Sequence, residues 1–218
     1  LTFAALDVSE NISFAIVDDA ISELTEDVQI TLSNPVVGTI GVPGIHTHSI
    51  IDNEALPTIN FDAASASTSE ATASKTITVV LNRASSQTIT VDYAVTGGTA
   101  TGGGTDFTLA NGTLTFLAGE TSKDMTIAIV NDALSEGNET VQITNSNPNA
   151  YATIGAAAVH THTITDDDGA PTVYFSSATS NSAEAVGSHT IVVSMSNADA
   201  SQVTVDYAVT NTVPGAGI

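Results

Sequence analysis

Six residues of this chain, Val91-Asp92-Tyr93-Ala94-Val95-Thr96, occur a second time without change at Val205-Asp206-Tyr207-Ala208-Val209-Thr210. Pro57-Thr58-Ile59-Asn60-Phe61 returns as Pro171-Thr172-Val173-Tyr174-Phe175, and His46-Thr47-His48 returns as His160-Thr161-His162. All three pairs are displaced by 114 residues (57 to 171, 91 to 205, 46 to 160). A fourth block, Ala15-Ile16-Val17-Asp18-Asp19-Ala20, matches Ala128-Ile129-Val130-Asn131-Asp132-Ala133 at 113 (15 to 128), which a one-residue indel between Pro148 and Ile154 reconciles. The period is too long for a solenoid unit and suits a self-contained domain. The expected organisation is the C-terminal half of one repeat over 1–54, a complete repeat over 55–168, and the N-terminal half of another over 169–218.

Within the complete repeat the apolar residues alternate. Ile77, Val79 and Leu81 share a face, as do Ile89, Val91, Tyr93 and Val95, then Leu114 and Phe116, Met125, Ile127 and Ile129, and Val141 and Ile143. Their neighbours are mostly Thr, Ser, Asp and Gln, which suits half-buried strands with one wet face. By this alternation Asp92 and Asp206 point outward as solvated acids with no special role. Turn-forming clusters at Asn82 to Ser86, Gly97 to Gly104, Asn111-Gly112 and Asn147-Pro148 separate the runs. No segment sustains a helical period. The pattern predicts an all-β fold: tandem antiparallel β-sandwiches, immunoglobulin-like, with about seven strands per repeat.

Charge narrows the partners. Asp and Glu number 24 against three basic residues, Lys75, Arg83 and Lys123, for a formal net charge of −21. Nucleic acid is excluded as a partner, because phosphates must be neutralised by Lys and Arg. No apolar run is long enough to insert as a membrane-spanning helix. The chain has no Cys, so neither disulfides nor thiolate chemistry is available. No Gly-x-Ser-x-Gly elbow or His-Glu-x-x-His occurs, which argues against an enzyme. With so few internal cations, the carboxylates must be solvated, screened or held by bound cations.

The order of motifs resembles the Calx-β domain. The elements are Pro-x-x-x-Phe, an isolated Glu, the Val-Asp-Tyr strand and the Gly-Thr-Ala…Gly-x-Asp-Phe loop. Leu-Thr-Phe-x-x-Gly-Glu, Ile-x-Ile-x-Asx-Asp…Glu-x-x-Glu and a terminal Asp-Asp-Asp follow. The family is known from sodium–calcium exchangers, an integrin subunit and bacterial surface proteins. The resemblance covers essentially the whole chain and implies calcium ions clustered at one end of the sandwich. It places candidate ligands at Glu70, at Asp106 in the Gly-rich loop, at Asn131, Asp132, Glu136 and Glu139, and at Asp166, Asp167 and Asp168. In the first repeat the equivalents are Asp18, Asp19, Glu23 and Glu26, followed by Asp52-Asn53-Glu54 in place of the triple Asp; Glu184 is the equivalent acid of the third. Asn131 departs from the family's Asp and removes one charge. Calcium wants six to eight hard oxygen donors, which such loops supply.

The implied role is a calcium-binding structural or adhesive repeat of a long extracellular, cell-surface or filament protein. Its partners would be neighbouring repeats, other copies of itself or cell-surface proteins. The alternatives are a metal-free interaction or filament-forming module and a passive spacer beside a distant head domain. A cadherin-like array is the second choice of fold, on Asp166-Asp167-Asp168-Gly169-Ala170-Pro171. The His46 and His160 pairs share faces with Ile50 and Ile164, so His160 and His162 are expected to be partly buried and metal-free. Thr101-Gly102-Gly103-Gly104-Thr105-Asp106 occurs once and reads as a loop, without the Lys of a phosphate cradle.

Overall fold

The computed structural model describes residues 1–210. It is built from strands, with one 3-10 turn at Glu184–Val186. The first repeat contributes a hairpin of β1 (Glu26–Thr31) and β2 (Ile45–Ile50). The central repeat supplies β3 (Thr58–Phe61), β4 (Ser65–Ser69), β5 (Ser74–Leu81), β6 (Ile89–Gly98), β7 (Phe107–Thr108), β8 (Gly112–Phe116), β9 (Ser122–Ile129), β10 (Leu134–Ser135), β11 (Glu139–Ser146), β12 (Thr153–Ile154) and β13 (Val159–Thr165). The third adds β14 (Val173–Phe175), β15 (Val193–Met195) and β16 (Ala198–Asp199).

The central repeat is a sandwich of two five-stranded sheets, β4-β13-β11-β6-β8 and β12-β3-β5-β9-β7. The alternating apolar residues face each other between them. Ile59, Val79, Val91, Phe116, Ile127, Val141 and Ile143 are fully enclosed, and each contributes about 1.5–3 kcal/mol by leaving water. Alternation thus located the long strands. It missed β4, β7, β10 and β12, which are short or, like the Ser-Ala-Ser-Thr-Ser of β4, carry no apolar face. The sandwich is also not purely antiparallel: β4 runs parallel to β13, and β12 parallel to β3. β4 follows β3 almost at once yet joins the opposite sheet, so the chain edge switches sheets.

Two local readings are corrected. Asp92 is outward-facing but engaged: its carboxylate accepts hydrogen bonds from Thr113 Oγ1 at 2.6 Å and Asn147 Nδ2 at 3.2 Å. These bonds hold its pKa below the ordinary carboxylate value. His160 and His162 are buried rather than partly buried, at 2% and 0% exposure. Their rings stack with centroids 6.1 Å apart, and His160 Nδ1 donates to the Ala63 carbonyl at 2.7 Å. Residues 211–218 of the third repeat lie outside the described residues.

Candidate metal centre

At one end of the central sandwich, β4, β11 and β13 and the loops before β7 and β10 bring together acids from five stretches of sequence. Glu70 directly follows β4, and its N–H donates to the Thr165 carbonyl at the end of β13 (3.0 Å). That bond places Glu70 beside the triple Asp that follows β13. Oxygens of Glu70, Asp166 and Asp168 lie within 4.8 Å of one another, and so do those of Asp106, Glu136 and Glu139.

Backbone donors orient the acids. Asp166 accepts from the Glu136 N–H at 2.9 Å through one oxygen and from the Asp168 N–H at 3.0 Å through the other, joining the two groups. Asp132 caps its own turn by accepting from the Leu134 N–H at 2.7 Å. Asp106 accepts from the Thr101 N–H across the Gly-rich loop, and its own carbonyl accepts from Val130 at 2.9 Å. Glu139 opens β11, where Gly98 permits a close approach: a side chain there would overlap the Thr140 carbonyl, and its φ of 117° favours glycine.

The electrostatics are those of crowded anions. Burial pushes the Glu70 carboxyl up to about 7; Asp166, Asp132 and Asp167 add to this, against a hydrogen bond from the Asp167 N–H. Burial likewise raises Glu139 to about 7, aided by its side-chain hydrogen bond with Asp106 and by the charges of Asp106, Glu136 and Glu70. Glu136 and Asp168 are raised by burial and by their acidic neighbours. Two carboxylates 4.8 Å apart repel by roughly 3.5 kcal/mol at an effective dielectric of about 20. Among the described residues the one ion pair is Lys123 Nζ–Glu120 at 2.7 Å. Glu70 Oε1 and Asp168 Oδ2 are buried oxygens without a hydrogen-bond donor. Hard oxygens, excess negative charge and buried acceptors lacking donors fit a divalent oxygen-seeking cation.

The sequence-based candidates are not equally placed. Glu70, Asp106, Glu136, Glu139, Asp166 and Asp168 form the two close groups, and Asp132 lies near enough to raise Glu70, Glu136 and Asp168. Asp167 is exposed and adjoins Glu70 through its N–H. Asn131 is exposed, and its side chain offers an amide carbonyl oxygen where the other candidates offer carboxylates. In the first repeat, Asp18, Asp19, Glu23, Glu26, Asp52 and Glu54 line one cleft with Asn53. Asp52 there accepts from the Glu23 N–H at 2.9 Å, as Asp166 does from Glu136, and Asn53 Nδ2 donates to Asp18 at 3.1 Å. Sequence reasoning overlooked Arg83, whose charge helps lower Asp52 and opposes the rise of Glu54. The third repeat has Asn197 at the matching place, 114 residues on (83 to 197). Glu184 lies exposed on the 3-10 turn.

A two-sheet sandwich repeated in tandem, with acids from distant segments gathered at one end, is a binding-module architecture. The Calx-beta domain family profile matches residues 1–54, 52–168 and 166–213. The chain belongs to the Calx-beta domain family. Among solved structures, the apo form of the Calx CBD1 domain is similar at 26% identity and a TM-score of 0.50, covering 52% of this chain and 100% of that one. CBD12 from CALX1.2 is similar at 27% identity and a TM-score of 0.49, covering 51% of this chain and 44% of that one. A calcium binding domain CBD12 of CALX1.1 gives 27%, 0.48, 50% and 44% for the same quantities. No curated protein sequence matches the chain.

Proposed function

We propose that this chain is part of a calcium-binding repeat array with a structural or adhesive, non-enzymatic role at a cell surface or in an extracellular filament. In the central repeat Glu70, Asp106, Asp132, Glu136, Glu139, Asp166, Asp167 and Asp168 would hold the ions; in the first, the acids of the Asp18 to Glu54 cleft would. The observation that carries this reading is the pair of carboxylate groups around Glu70 and Glu139, whose burial and mutual repulsion disfavour ionisation unless a cation is bound. Membership of a family with calcium-binding members supports the choice of ion. Calcium would supply counter-charge and a tie between the end of β13 and the loop carrying Asp132 and Glu136. Weak sites suffice where calcium is abundant, since extracellular modules bind with dissociation constants of roughly 10⁻⁴–10⁻³ M. Neighbouring repeats are the nearest partners; other copies of the chain and cell-surface proteins are the further ones.

The test is calorimetric titration of the 218-residue chain with calcium, beside a variant carrying Asp166→Asn and Glu136→Gln. Binding heat in the wild type that is reduced in the variant is expected. Free calcium at about 100 times the dissociation constant should stabilise the central repeat by roughly 2.7 kcal/mol. No calcium heat and no change in unfolding would reject the calcium reading.

A further inference from the structure

Three serines outside the apolar core are buried: Ser22 and Ser85 at 3% exposure and Ser135 at 8%. Residues 1–20 before Ser22 are all exposed, so something covers this one position. It is the loop between β5 and β6 of the following repeat. Ser22 and Ser85 form a parallel bridge. The Ser22 N–H donates to the Ala84 carbonyl at 3.0 Å, and the Ser22 carbonyl accepts from the Ser86 N–H at 2.9 Å and from Ser85 Oγ at 3.0 Å. Ser85 is anchored in turn, its carbonyl accepting from the Gly119 N–H at 2.9 Å.

The same arrangement occurs one repeat later. β10 pairs parallel with β16, Leu134 opposite Ala198 and Ser135 opposite Asp199. The Ala200 N–H donates to the Ser135 carbonyl at 2.9 Å, the counterpart of Ser86 to Ser22. The positions correspond by the repeat itself: 22 to 135 at the offset of the first acidic block, and 84, 85 and 86 to 198, 199 and 200 at the main offset. Asn197 adds a bond from Nδ2 to the Gly169 carbonyl at 2.9 Å, closing the second junction over the short connection.

We propose that this backbone pairing is a head-to-tail clasp, in which the short segment ending at Ser22 or Ser135, three residues past Asp19 or Asp132, receives the β5–β6-type loop of the next repeat. The partner it fits is another repeat of the same kind. The two surfaces are unlike, so the contact is head-to-tail and can recur from each repeat to the next along the array. Most of its bonds are main-chain, so the register survives side-chain drift: Ser85 is replaced by Asp199, whose carboxylate caps the Ser201 N–H at 2.7 Å instead of donating across the joint. Buried main-chain groups must be paired, which makes an undocked loop costly once its neighbour excludes water. The clasp needs no metal, although its receiving segment lies between Asp132 and Glu136 and therefore steadies that loop.

The absence of cysteine makes disulfide trapping direct. Residues opposed in a β-bridge lie within the span of a disulfide. In the full chain, Ser22→Cys with Ser85→Cys, and Ser135→Cys with Asp199→Cys, should each cross-link within one molecule. The rate should exceed that of the swapped pairs, Ser22→Cys with Asp199→Cys and Ser135→Cys with Ser85→Cys, by about tenfold or more. Cross-linking should persist in chelator. Equal rates for matched and swapped pairs, or cross-linking that requires calcium, would overturn the metal-independent clasp. Calcium heat is read separately, so failure of the calcium reading leaves this test intact.

Discussion

Replacing Glu70 by Gln should stabilise the metal-free protein at alkaline pH and weaken its response to calcium. Glu70 is 6% exposed, and its carboxyl is raised from an ordinary 4.5 to about 7, chiefly by burial. An acid with a raised pKa in the folded state contributes its full stability below the unfolded value. That stability drains away as pH rises through the folded value. At about 1.4 kcal/mol per pH unit, a shift of this size removes about 2 kcal/mol between pH 5 and pH 8. Gln keeps the shape, removes the ionisation, and offers an amide donor to Asp166 or Asp168. The assay is urea unfolding of the full chain at pH 5 and pH 8, in chelator and in calcium, followed by circular dichroism. In chelator the wild type should lose stability toward pH 8 and the variant should lose about 2 kcal/mol less. In calcium the wild type should recover and the variant should recover less. Parallel pH profiles of the two proteins in chelator would refute the burial argument for Glu70.

Arg83→Asn removes the cation that eases Asp52 and Glu54, and should tighten calcium at the first cleft, modestly because the charges are solvent-screened (about threefold or less), as read by calorimetry. Gly98→Ala places a methyl against the Thr140 carbonyl at a positive φ and should destabilise the central repeat by more than about 1 kcal/mol, measured by chemical unfolding, while displacing Glu139 and weakening calcium. His162 is held below its ordinary pKa by burial, by His160 and by Lys75, so its contribution is full above about pH 6.5 and is lost as pH falls, when the unfolded chain takes up the proton. His162→Leu should therefore flatten the acid limb of a stability–pH profile taken in calcium; an unchanged limb would contradict this.

Much of the site was legible as a set of residues and little of it as a geometry. The order of acids from Glu70 to Asp168 resembles the family pattern, but nothing in the sequence says that Asp166 grips the Glu136 N–H while its neighbour Asp167 lies exposed. Burial separates Glu70 and Glu139 from the other acids, and burial depends on which strands close over them. The clasp was invisible for a related reason. Ser85 falls in the Asn82 to Ser86 turn and nothing in the sequence singles out Ser22 or Ser135, because main-chain pairing between loops leaves no side-chain pattern.

The repeated hexapeptide separates the two kinds of information. Val91 to Thr96 lies within β6, bonded on both edges, to β8 and β11. The identical Val205 to Thr210 forms no strand among the described residues, and Val205, Tyr207 and Val209 are exposed. The alternation common to both copies determines which side chains can share a buried face, and the 114-residue period determines that the fold is built in units. Whether the hexapeptide becomes a strand was decided by its neighbours. In the central repeat β8 and β11 complete its hydrogen bonds and the opposite sheet covers Val91; among the described residues no strand pairs with Val205 to Thr210. The histidines follow the same rule. His160 and His162 are sealed between two sheets, while on the two-stranded hairpin, with the same spacing on β2, His46 is exposed and His48 is only half-buried. A strand gains its stability from partners on its edges and its face, so identical residues take different states where those partners differ.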